Sequence, residues 1–410
     1  MLNQRELLSL RSHCSSNLTV RHCPYIRAWR RTLATHHIKY ARDSDRKLWD
    51  GYVRKHPDAG LFHLYGWHDV IHETYGHPTY YLTAVRREVA DPARGAGELT
   101  SAPESLVGVL PLVHLNHRLF GNCLVSLPYV DGGGVLADSG EVEADLLSET
   151  IALARRIGAD SIDLRCERTI VACHDMIQAG AAEGLVPVKV AHRSNKVRML
   201  LTLPGSSADL VKSFRSKLRS QINRPLKEGC ISTIGGLELL EDFYRVFLIN
   251  MRALGSPVHS KDLMRQVLEV FSEHSRIVVI YNAGKPIAAA LVSGFNEILR
   301  NPWASSDRKY ASMSPNMLLY LRMLEFACDN GYKVFDFGRS TTGEGTYRFK
   351  EQWGAVAAPL HWYLISLDGK SLDANASGME RYEVAGRLWS KLPLVVTKLI
   401  GPRIRKHISL

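Results

Sequence analysis

The segment from Phe335 to Gly354 holds the densest set of side chains that can do chemistry. Two glycines, Gly343 and Gly345, let the backbone turn its N–H groups toward a ligand. Two cations, Arg339 and Lys350, can stabilise a phosphate, a carboxylate or a developing oxyanion. Walls for an organic group can come from three aromatic side chains, Tyr347, Phe349 and Trp353. The same spacing also fits a turn whose solvated charges lie over an aromatic core cluster.

Asp336 lies in the strand-like run that leads into this segment. It is a weak candidate for a general base, because a carboxylate between Phe335 and Phe337 equally suits a structural role. No metal site is predicted. His68 and His72 are four residues apart, but their order differs from the H-E-x-x-H of zinc proteases and no third ligand is evident in the sequence.

Positive charge is concentrated in three segments of the chain, whose net charge is +11. Residues 1–36, 205–230 and 381–410 carry +5, +4 and +6, so the remainder is net acidic. Arg219 in the second segment, and Arg252 on a later turn-like stretch, are therefore candidates to hold the anionic part of a substrate. Such a substrate would be tRNA, a nucleotide-sugar or a lipid phosphate. A solvated helix face is the alternative for this segment.

The elements predicted around these residues occur twice in the same order. Two strands, a helix and a third strand are predicted at 80–86, 106–115, 143–157 and 161–165, and again at 276–281, 287–295, 315–330 and 334–337. Each helix is stopped by a glycine, Gly158 or Gly331, and an aspartate follows five residues later, Asp163 or Asp336. The repeat predicts an α/β chain made of two related domains.

Composition excludes several classes of protein. The chain has 410 residues, of which 45% are hydrophobic and 23% charged, as in soluble globular proteins. No apolar run approaches the roughly 18–20 residues that a membrane-spanning helix needs, so an integral membrane protein is not expected. Seven scattered cysteines without C-x-x-C spacing predict reduced thiols and a cytoplasmic location.

Several ordered motifs resemble those of the FemAB-like transferases, within the GNAT-like acyl-CoA N-acyltransferase superfamily. The nearest resemblance is to the branch found in exopolysaccharide and PEP-CTERM/exosortase gene neighbourhoods. The closing motif is Phe337-Gly-Arg339-Ser, then Gly345-Thr-Tyr-Arg-Phe349-Lys350, then Trp353-Gly354. Further matching segments are Leu106-Val-Gly-Val-Leu-Pro111, Asn250-Met-Arg252, Pro302-Trp303-Ala-Ser-Ser and Ser314-Pro-Asn316-Met. The resemblance extends over about residues 46–363.

The resemblance implies two tandem GNAT-like domains, each a mixed sheet flanked by helices. It implies acyl or aminoacyl transfer to an amine or hydroxyl of a cell-envelope or exopolysaccharide precursor. The lysine of the matching Phe-Lys segment, Lys350, would stabilise the transition state. Arg339, Trp303 and Asn316 fall within matching motifs and are expected to bind substrate, and Trp303 and Trp353 are expected to shape one cleft.

No permanently bound cofactor is expected, and the donor substrate would be acyl-CoA or aminoacyl-tRNA. Conventional GNAT enzymes hold the diphosphate of coenzyme A with an R/Q-x-x-G-x-G/A loop between a strand and a helix. The nearest match, Arg155-Arg-Ile-Gly158-Ala-Asp160, fails at its last position and lies at a predicted helix end. Helix C-termini do not bind phosphates, so the sequence leaves the donor open.

Five regions are predicted. They are a flexible basic extension (1–38), an N-terminal GNAT-like domain (39–204), a basic connecting segment (205–236), a C-terminal GNAT-like domain (237–368) and a basic amphipathic tail (369–410). The tail suits the anionic surface of a membrane, and a helix docked on the protein body is the alternative. Whether residues 1–36 are translated is left open.

The sequence thus predicts a cytoplasmic transferase, with peripheral contact to the inner face of the membrane as an open alternative. Its partner would be an envelope or polysaccharide precursor, lipid-linked or free, and tRNA is a further candidate. DNA is not expected, because the basic stretches lack a reader motif. The alternative function is a non-catalytic GNAT-fold scaffold of an exopolysaccharide or protein-sorting system.

Overall fold

The computed structural model describes residues 36–87, 104–179, 188–367 and 384–409. The strands are β1 (His36–Tyr40), β2 (Thr79–Arg87), β3 (Glu104–His117), β4 (Gly121–Val125), β5 (Leu136–Ala137), β6 (Ser161–Cys166), β7 (Lys189–Arg193), β8 (Lys196–Thr202), β9 (Ile231–Gly235), β10 (Ser275–Asn282), β11 (Lys285–Phe295), β12 (Ile298–Ser306), β13 (Val334–Thr341), β14 (Val356–Pro359) and β15 (His361–Ser366). The helices are α1 (Arg46–Lys55), α2 (Gly66–Tyr75), α3 (Gly140–Arg156), α4 (Val171–Ala179), α5 (Ser207–Ser213), α6 (Ser216–Lys227), α7 (Leu240–Ala253), α8 (Lys261–Val270), α9 (Pro315–Asp329), α10 (Gly345–Glu351), α11 (384–391) and α12 (Leu394–Arg405).

The chain forms two compact units. The larger comprises Ile38–Ala84 and Leu106–Leu410 and contains every residue of the candidate site. The smaller comprises Met1–His37 and Val85–Ser105. Of the smaller unit the structure describes residues 36–37, 85–87 and 104–105, all of them in strands. The predicted extension therefore lies almost entirely outside the described residues.

The first sheet has the strand order β1-β2-β3-β4-β6-β15-β7, and β5 pairs with β3. Strands β3 and β4 are antiparallel, whereas β4 and β6 are parallel and are connected through helix α3. Strand β3 is apolar on both faces from Val107 to Val113, and these residues are buried because helices cover the sheet on both sides.

The second sheet has the order β14-β8-β13-β12-β11-β10-β9. It repeats the arrangement of the first: β11 and β12 are antiparallel, and β12 and β13 are parallel with helix α9 between them along the chain. The predicted mixed α/β fold with two related halves is confirmed. The structure differs from the predicted pair of consecutive domains in one respect. The chain passes twice between the sheets, from β7 to β8 and from β14 to β15.

Two strands pair outside the half of the chain to which the sequence assigned them. β8, placed in the N-terminal domain, pairs with β13 and β14 of the second sheet. β15, placed in the C-terminal domain, pairs with β6 and β7 of the first sheet. The connecting segment, in turn, supplies α5, α6 and β9, which pairs with β10. The boundaries at 204 and 236 stay predictions, and strand pairing crosses them.

Three hydrophobic clusters form the core. A middle cluster joins α1, α2, α7 and α8 to one face of each sheet. The α9 cluster covers the other face of the second sheet with α5, α6 and α9. The α3 cluster lies on the other face of the first sheet. Helix α8 illustrates how sequence directs this packing: Leu263, Met264, Val267 and Leu268 recur at helical spacing and are all buried.

The described part of the predicted tail consists of α11 and α12. Gly255 has φ +72°, and a Cβ on it would lie 2.5 Å from the carbonyl oxygen of Gly386, so only glycine allows α11 to dock here. Thr397, Gly401 and Arg405 of α12 are buried against the body. The docked alternative is therefore confirmed for α12. Among the described residues, no helix has the length and apolar character needed to cross a bilayer.

Candidate active site

A backbone irregularity in β13 creates the site. Strands β12 and β13 pair only from Ile298/Val334 to Arg300/Asp336. Two residues later Gly338 adopts φ +75°, and a Cβ there would lie 3.0 Å from the carbonyl oxygen of Asn301. Glycine is therefore required at 338. Beyond it, β13 is paired with β8 and no longer with β12, which leaves an open edge between two parallel strands.

Lys350 lies on α10 beneath this irregularity and is buried. Its ammonium group donates hydrogen bonds to the carbonyl oxygens of Gly338 (2.9 Å) and Arg339 (2.8 Å). Burial lowers the pKa of Lys350 to about 8, although the nearby carboxylates of Asp336 and Asp131 oppose the shift. An ammonium has three N–H donors, so one remains for a ligand.

Asp336 belongs to a buried network of four charged side chains. Its Oδ1 accepts a hydrogen bond from the N–H of Gly338 (2.9 Å). Its Oδ2 lies 3.0 Å from Nε of Arg198 and 3.5 Å from Nη1 of Arg300. Both carboxylate oxygens thus contact protein groups. This geometry fits the structural role that the sequence left open for Asp336. A role as general base stays a prediction without support from this geometry.

Glu167 closes the network from the first sheet. It follows β6 and pairs with Arg198 and with both terminal nitrogens of Arg300. Burial alone would raise the pKa of Glu167, but the two guanidinium groups lower it to about 2. Two carboxylates balance two arginines, and the network ties β6 to β8 and β12.

Trp362 on β15 connects Arg339 to the first sheet. The guanidinium carbons of Arg339 and Arg165 lie 5.2 Å and 5.5 Å from the centroid of its ring. Its Nε1 donates to the carbonyl oxygen of Asp131 (3.2 Å), and the Asp131 carboxylate lies 3.4 Å from Arg339. Arg339, predicted from sequence as an anion binder, is therefore half-buried in a cation–π arrangement.

On the other side of β13, aromatic rings surround buried polar atoms. Tyr320 of α9 stacks on Phe337, 5.4 Å between centroids, and meets Phe349 edge-to-face at 5.0 Å. Within the described structure, three buried polar atoms here make no hydrogen bond; they are Asn301 Oδ1, Ser340 Oγ and Trp353 Nε1. Leaving a buried polar group unpaired costs about 1–3 kcal/mol, so these atoms are candidates for hydrogen bonds to a ligand.

The structure brings together only some of the predicted site residues. Lys350, Asp336 and Arg339 meet at the irregularity, and Phe349 and Trp353 line the aromatic side. Trp303 belongs to the middle cluster whereas Trp353 belongs to the α9 cluster, so the expectation that they shape one cleft is wrong. The two clusters lie on opposite faces of the second sheet.

The remaining predicted residues lie around the site rather than within it. Arg219 is exposed on α6, and Arg252 donates to the carbonyl oxygen of Leu392 (3.3 Å), which anchors the C-terminal helices. Asn316 is half-buried in the first turn of α9, and Tyr347 is half-buried on α10. Their roles in substrate binding stay predictions.

Sequence reasoning missed five charged or aromatic residues of the site. They are Asp131, Glu167, Arg198, Arg300 and Trp362. They come from separate parts of the chain and share no local motif. Asp131 and Glu167 follow β4 and β6, Arg300 lies on β12, and Arg198 and Trp362 lie on β8 and β15, the strands that follow the two crossings between the sheets. Among the described residues, no group of three or more His, Cys, Asp or Glu side chains is arranged to hold a metal ion.

Comparisons with known proteins agree with the fold. Residues 212–351, one third of the chain, match the model of the acetyltransferase (GNAT) domain family. No curated protein has significant sequence similarity to the chain. A crystal structure of FemX is similar, with a TM-score of 0.56, 13% identity, and coverage of 79% of this chain and 96% of that chain.

Two further structures are similar at lower scores. One is a tandem GNAT protein from the clavulanic acid biosynthesis pathway (TM-score 0.48, 10% identity, 82% of this chain and 99% of that chain). The other is the C-terminal domain of a putative lysylphosphatidylglycerol synthetase from Agrobacterium fabrum (0.45, 12%, 67% and 85%). The fold is thus a tandem GNAT-like fold similar to that of FemX, and residues 212–351 match the GNAT acetyltransferase domain model.

Proposed function

We propose that the protein is an acyltransferase that moves an acyl group from coenzyme A to an amine or hydroxyl of an envelope or exopolysaccharide precursor. The observation that carries the proposal is that the matched GNAT domain, 212–351, includes the open edge between β12 and β13 and ends just beyond Lys350. The comparisons give no support to aminoacyl-tRNA as the donor. A place in PEP-CTERM systems rests on sequence resemblance alone.

The aromatic side of the second sheet suits the donor substrate. Strand edges expose backbone N–H and C=O groups, and the amides of an extended thioester arm can pair with them. The unpaired Asn301 Oδ1, Ser340 Oγ and Trp353 Nε1 offer further partners. Helix α9 follows β12 along the chain, and the free N–H groups of its first turn would favour the phosphates of the donor. In contrast, Arg155 and Gly158 end α3, so the weak diphosphate motif found in the sequence has no such position.

Lys350 would act on the transition state. Attack of the acceptor nucleophile on the thioester carbonyl forms a tetrahedral oxyanion, and the coenzyme A thiolate leaves when it collapses. The third N–H of the Lys350 ammonium would donate to this oxyanion, while Gly338 and Arg339 hold the ammonium in place. The acceptor would lose its proton to solvent or to another basic group of the acceptor itself, because both carboxylate oxygens of Asp336 already contact protein groups.

The outer face of the C-terminal helices supports a membrane-bound acceptor. Apolar side chains point away from the body at Val384, Leu388, Val395 and Leu399, which are 55–68% exposed. Exposed Lys391, Lys398 and Arg403 accompany them. We call these seven residues the C-terminal surface. An apolar face with a cationic rim suits the anionic inner leaflet, where a lipid-linked precursor would be presented.

Transfer of label tests the proposal. Radiolabelled acetyl-CoA is incubated with the protein and with glycan and lipid fractions of the cells that express it. We expect label in one fraction with wild-type protein and none with Lys350→Met, while Arg348→Met on the exposed face of the same helix stays active. Wild-type complementation by Lys350→Met without any transfer would instead favour the non-catalytic scaffold.

A further inference from the structure

Residues 406–409 follow α12 and are bonded to residues of the first sheet and its loops; we call them the strap. The backbone carbonyl oxygen of Ser409 accepts hydrogen bonds from the N–H of Tyr129 (2.7 Å) and from Nη1 of Arg165 (3.1 Å). The backbone carbonyl oxygen of Lys406 accepts a hydrogen bond from the hydroxyl of Tyr129. The strap is therefore held through its backbone oxygens.

The strap forms part of a wall beside the candidate active site. Ser409 lines a cavity of about 170 Å³ whose other lining residues belong to β6, β7 and β15. One of those residues is Trp362, whose ring contacts the guanidinium group of Arg339. Moving the strap would therefore widen this cavity, next to the segment whose carbonyl oxygens Lys350 binds.

Helix α12, which leads into the strap, is docked with much of its apolar surface in water. The residues that it buries are Thr397, Gly401 and Arg405. Its apolar Val395 and Leu399 are 68% and 61% exposed, and its remaining apolar residues are half-buried. A helix that is held by the hydrophobic effect shows the opposite arrangement, with its apolar stripe toward the body. Apolar burial thus contributes little to this docking.

The docked region also leaves polar groups unsatisfied. Arg405 is 8% exposed, its Nε donates to Nε2 of His259 (3.1 Å), and within the described chain no carboxylate pairs with it. Nδ1 of His259, Nδ1 of His407 and Nε1 of Trp389 are buried and make no hydrogen bond to a described residue. Tyr129 has φ +71°, a strained backbone conformation for a bulky side chain. Undocking would return these polar groups to water and relax this strain.

We propose that the strap closes the cavity while the protein is in solution and that an anionic membrane opens it. A ligand shifts an equilibrium only when it binds one state better than the other. The undocked α12 offers a bilayer all of its apolar residues, and it adds the charge of Arg405 to those of Lys398 and Arg403. The docked helix offers only its outer face. Undocking would pull the strap away from Tyr129 and Arg165. This inference rests on the membrane contact proposed above for the C-terminal surface.

Hydrogen exchange of the full chain, free and on lipid vesicles, tests the inference without donor or acceptor. The N–H of Tyr129 donates to the carbonyl oxygen of Ser409, so release of the strap exposes it. We expect this amide to exchange at least about tenfold faster on phosphatidylglycerol vesicles than on phosphatidylcholine vesicles or in the free protein. Equal or slower exchange on phosphatidylglycerol vesicles would overturn the inference, because the protein would then bind with its strap closed or not bind at all.

A variant of the strap contact tests the closed state without lipid. Tyr129→Phe removes one hydrogen bond to the carbonyl oxygen of Lys406, while the bond from Nε2 of His77 (2.9 Å) remains. The amide of residue 129 should then exchange about fivefold faster than in the wild type. The matched control is Tyr52→Phe, whose hydroxyl donates to Asp138 (2.9 Å), and it should leave that amide unchanged. Unchanged exchange in Tyr129→Phe would overturn the inference.

A variant of the C-terminal surface tests the trigger. Leu388→Glu combined with Val395→Glu should abolish the acceleration on phosphatidylglycerol vesicles, because it removes apolar contact and adds repulsion. Acceleration that persists in this variant would overturn the inference. Each readout is an exchange rate measured without substrates, so failure of the strap inference would leave the proposed acyl transfer intact.

Discussion

At the residue scale, Lys350 has a structural contact in β13 and a proposed role in catalysis. Its two hydrogen bonds to the carbonyl oxygens of Gly338 and Arg339 fix the irregular part of β13, and its third donor is the one we propose for the developing oxyanion. The two roles therefore predict different consequences of substitution. Replacing a purely structural lysine should change the free energy of unfolding, whereas replacing a catalytic lysine should lower kcat far more than it lowers stability.

Lys350→Met keeps the length of the side chain and removes its charge. We expect kcat to fall about 10²–10³-fold, the effect of losing one oxyanion donor. Two carbonyls lose their partner, so the free energy of unfolding should fall by about 1–3 kcal/mol. Transfer assays and urea unfolding measure the two effects, with Arg348→Met as the control. A loss of stability with unchanged kcat would show that Lys350 is only structural.

The pH dependence of transfer reports the same residue. Burial lowers the pKa of Lys350 to about 8, and oxyanion stabilisation needs the charged form. The charged fraction falls as pH rises through this value, so kcat/KM should decline on the alkaline side of about pH 8. In Lys350→Arg the cation persists, and the decline should move to higher pH. An unchanged alkaline limb in Lys350→Arg would assign that limb to another group.

At the scale of elements, the buried charge network holds β6, β8, β12 and β13 in register. Glu167 is the member that belongs to the first sheet, and it carries two arginine contacts. Removing its charge leaves Arg198 and Arg300 buried with only Asp336 between them. Burying arginines without enough opposite charge costs folding free energy. The contacts of Glu167 therefore stabilise the arrangement of strands on which the site depends.

Glu167→Gln should therefore lower the free energy of unfolding by about 3–5 kcal/mol. The matched control is Glu149→Gln, whose carboxylate lies 3.5 Å from the exposed Arg156 and should cost under about 1 kcal/mol. Urea denaturation of both variants measures the difference. Equal, small effects would mean that water reaches the network and screens it.

Sequence reasoning predicted the elements well where the pattern is local. Periodicity and terminal glycines predicted helices at 143–157 and 315–330, each followed by a strand, and the structure has the helices at 140–156 and 315–329. The exchange of β8 and β15 between sheets was not, because pairing partners far apart along the chain leave no local pattern. The same reason explains the site: Arg339 and Lys350 lie in one contiguous motif, whereas Glu167, Arg198 and Trp362 become neighbours only through topology.

At the scale of the whole molecule, the basic residues of the C-terminal helices divide into buried and exposed ones. Basic residues of the tail do not all face solvent: Arg405 is buried and donates through Nε to His259 (3.1 Å), and its burial lowers its pKa to about 10. The outward cations instead accompany the apolar residues of the C-terminal surface. The proposal of docking on a bilayer depends on this C-terminal surface.

Membrane association should depend on that face. The protein should sediment with vesicles that contain phosphatidylglycerol and not with pure phosphatidylcholine vesicles. Leu388→Glu combined with Val395→Glu should weaken sedimentation at least about tenfold, by removing apolar contact and adding repulsion. Leu119→Glu, at an apolar site outside that surface which is more exposed (80%) than Leu388 or Val395, is the control. Equal sedimentation of the wild type, the double variant and the control would rule out the C-terminal surface as the membrane-binding face.

The central claim is that an acyl-CoA donor binds at the open edge between β12 and β13. Calorimetric titration with acetyl-CoA and longer acyl-CoA thioesters, at near-physiological salt, tests it most directly. We expect one saturable site in the wild type and about five- to tenfold weaker binding in Ser340→Val, which removes a buried hydroxyl that makes no hydrogen bond among the described residues. Absence of saturable binding in the wild type would contradict the claim, and unchanged affinity in Ser340→Val would place the donor elsewhere.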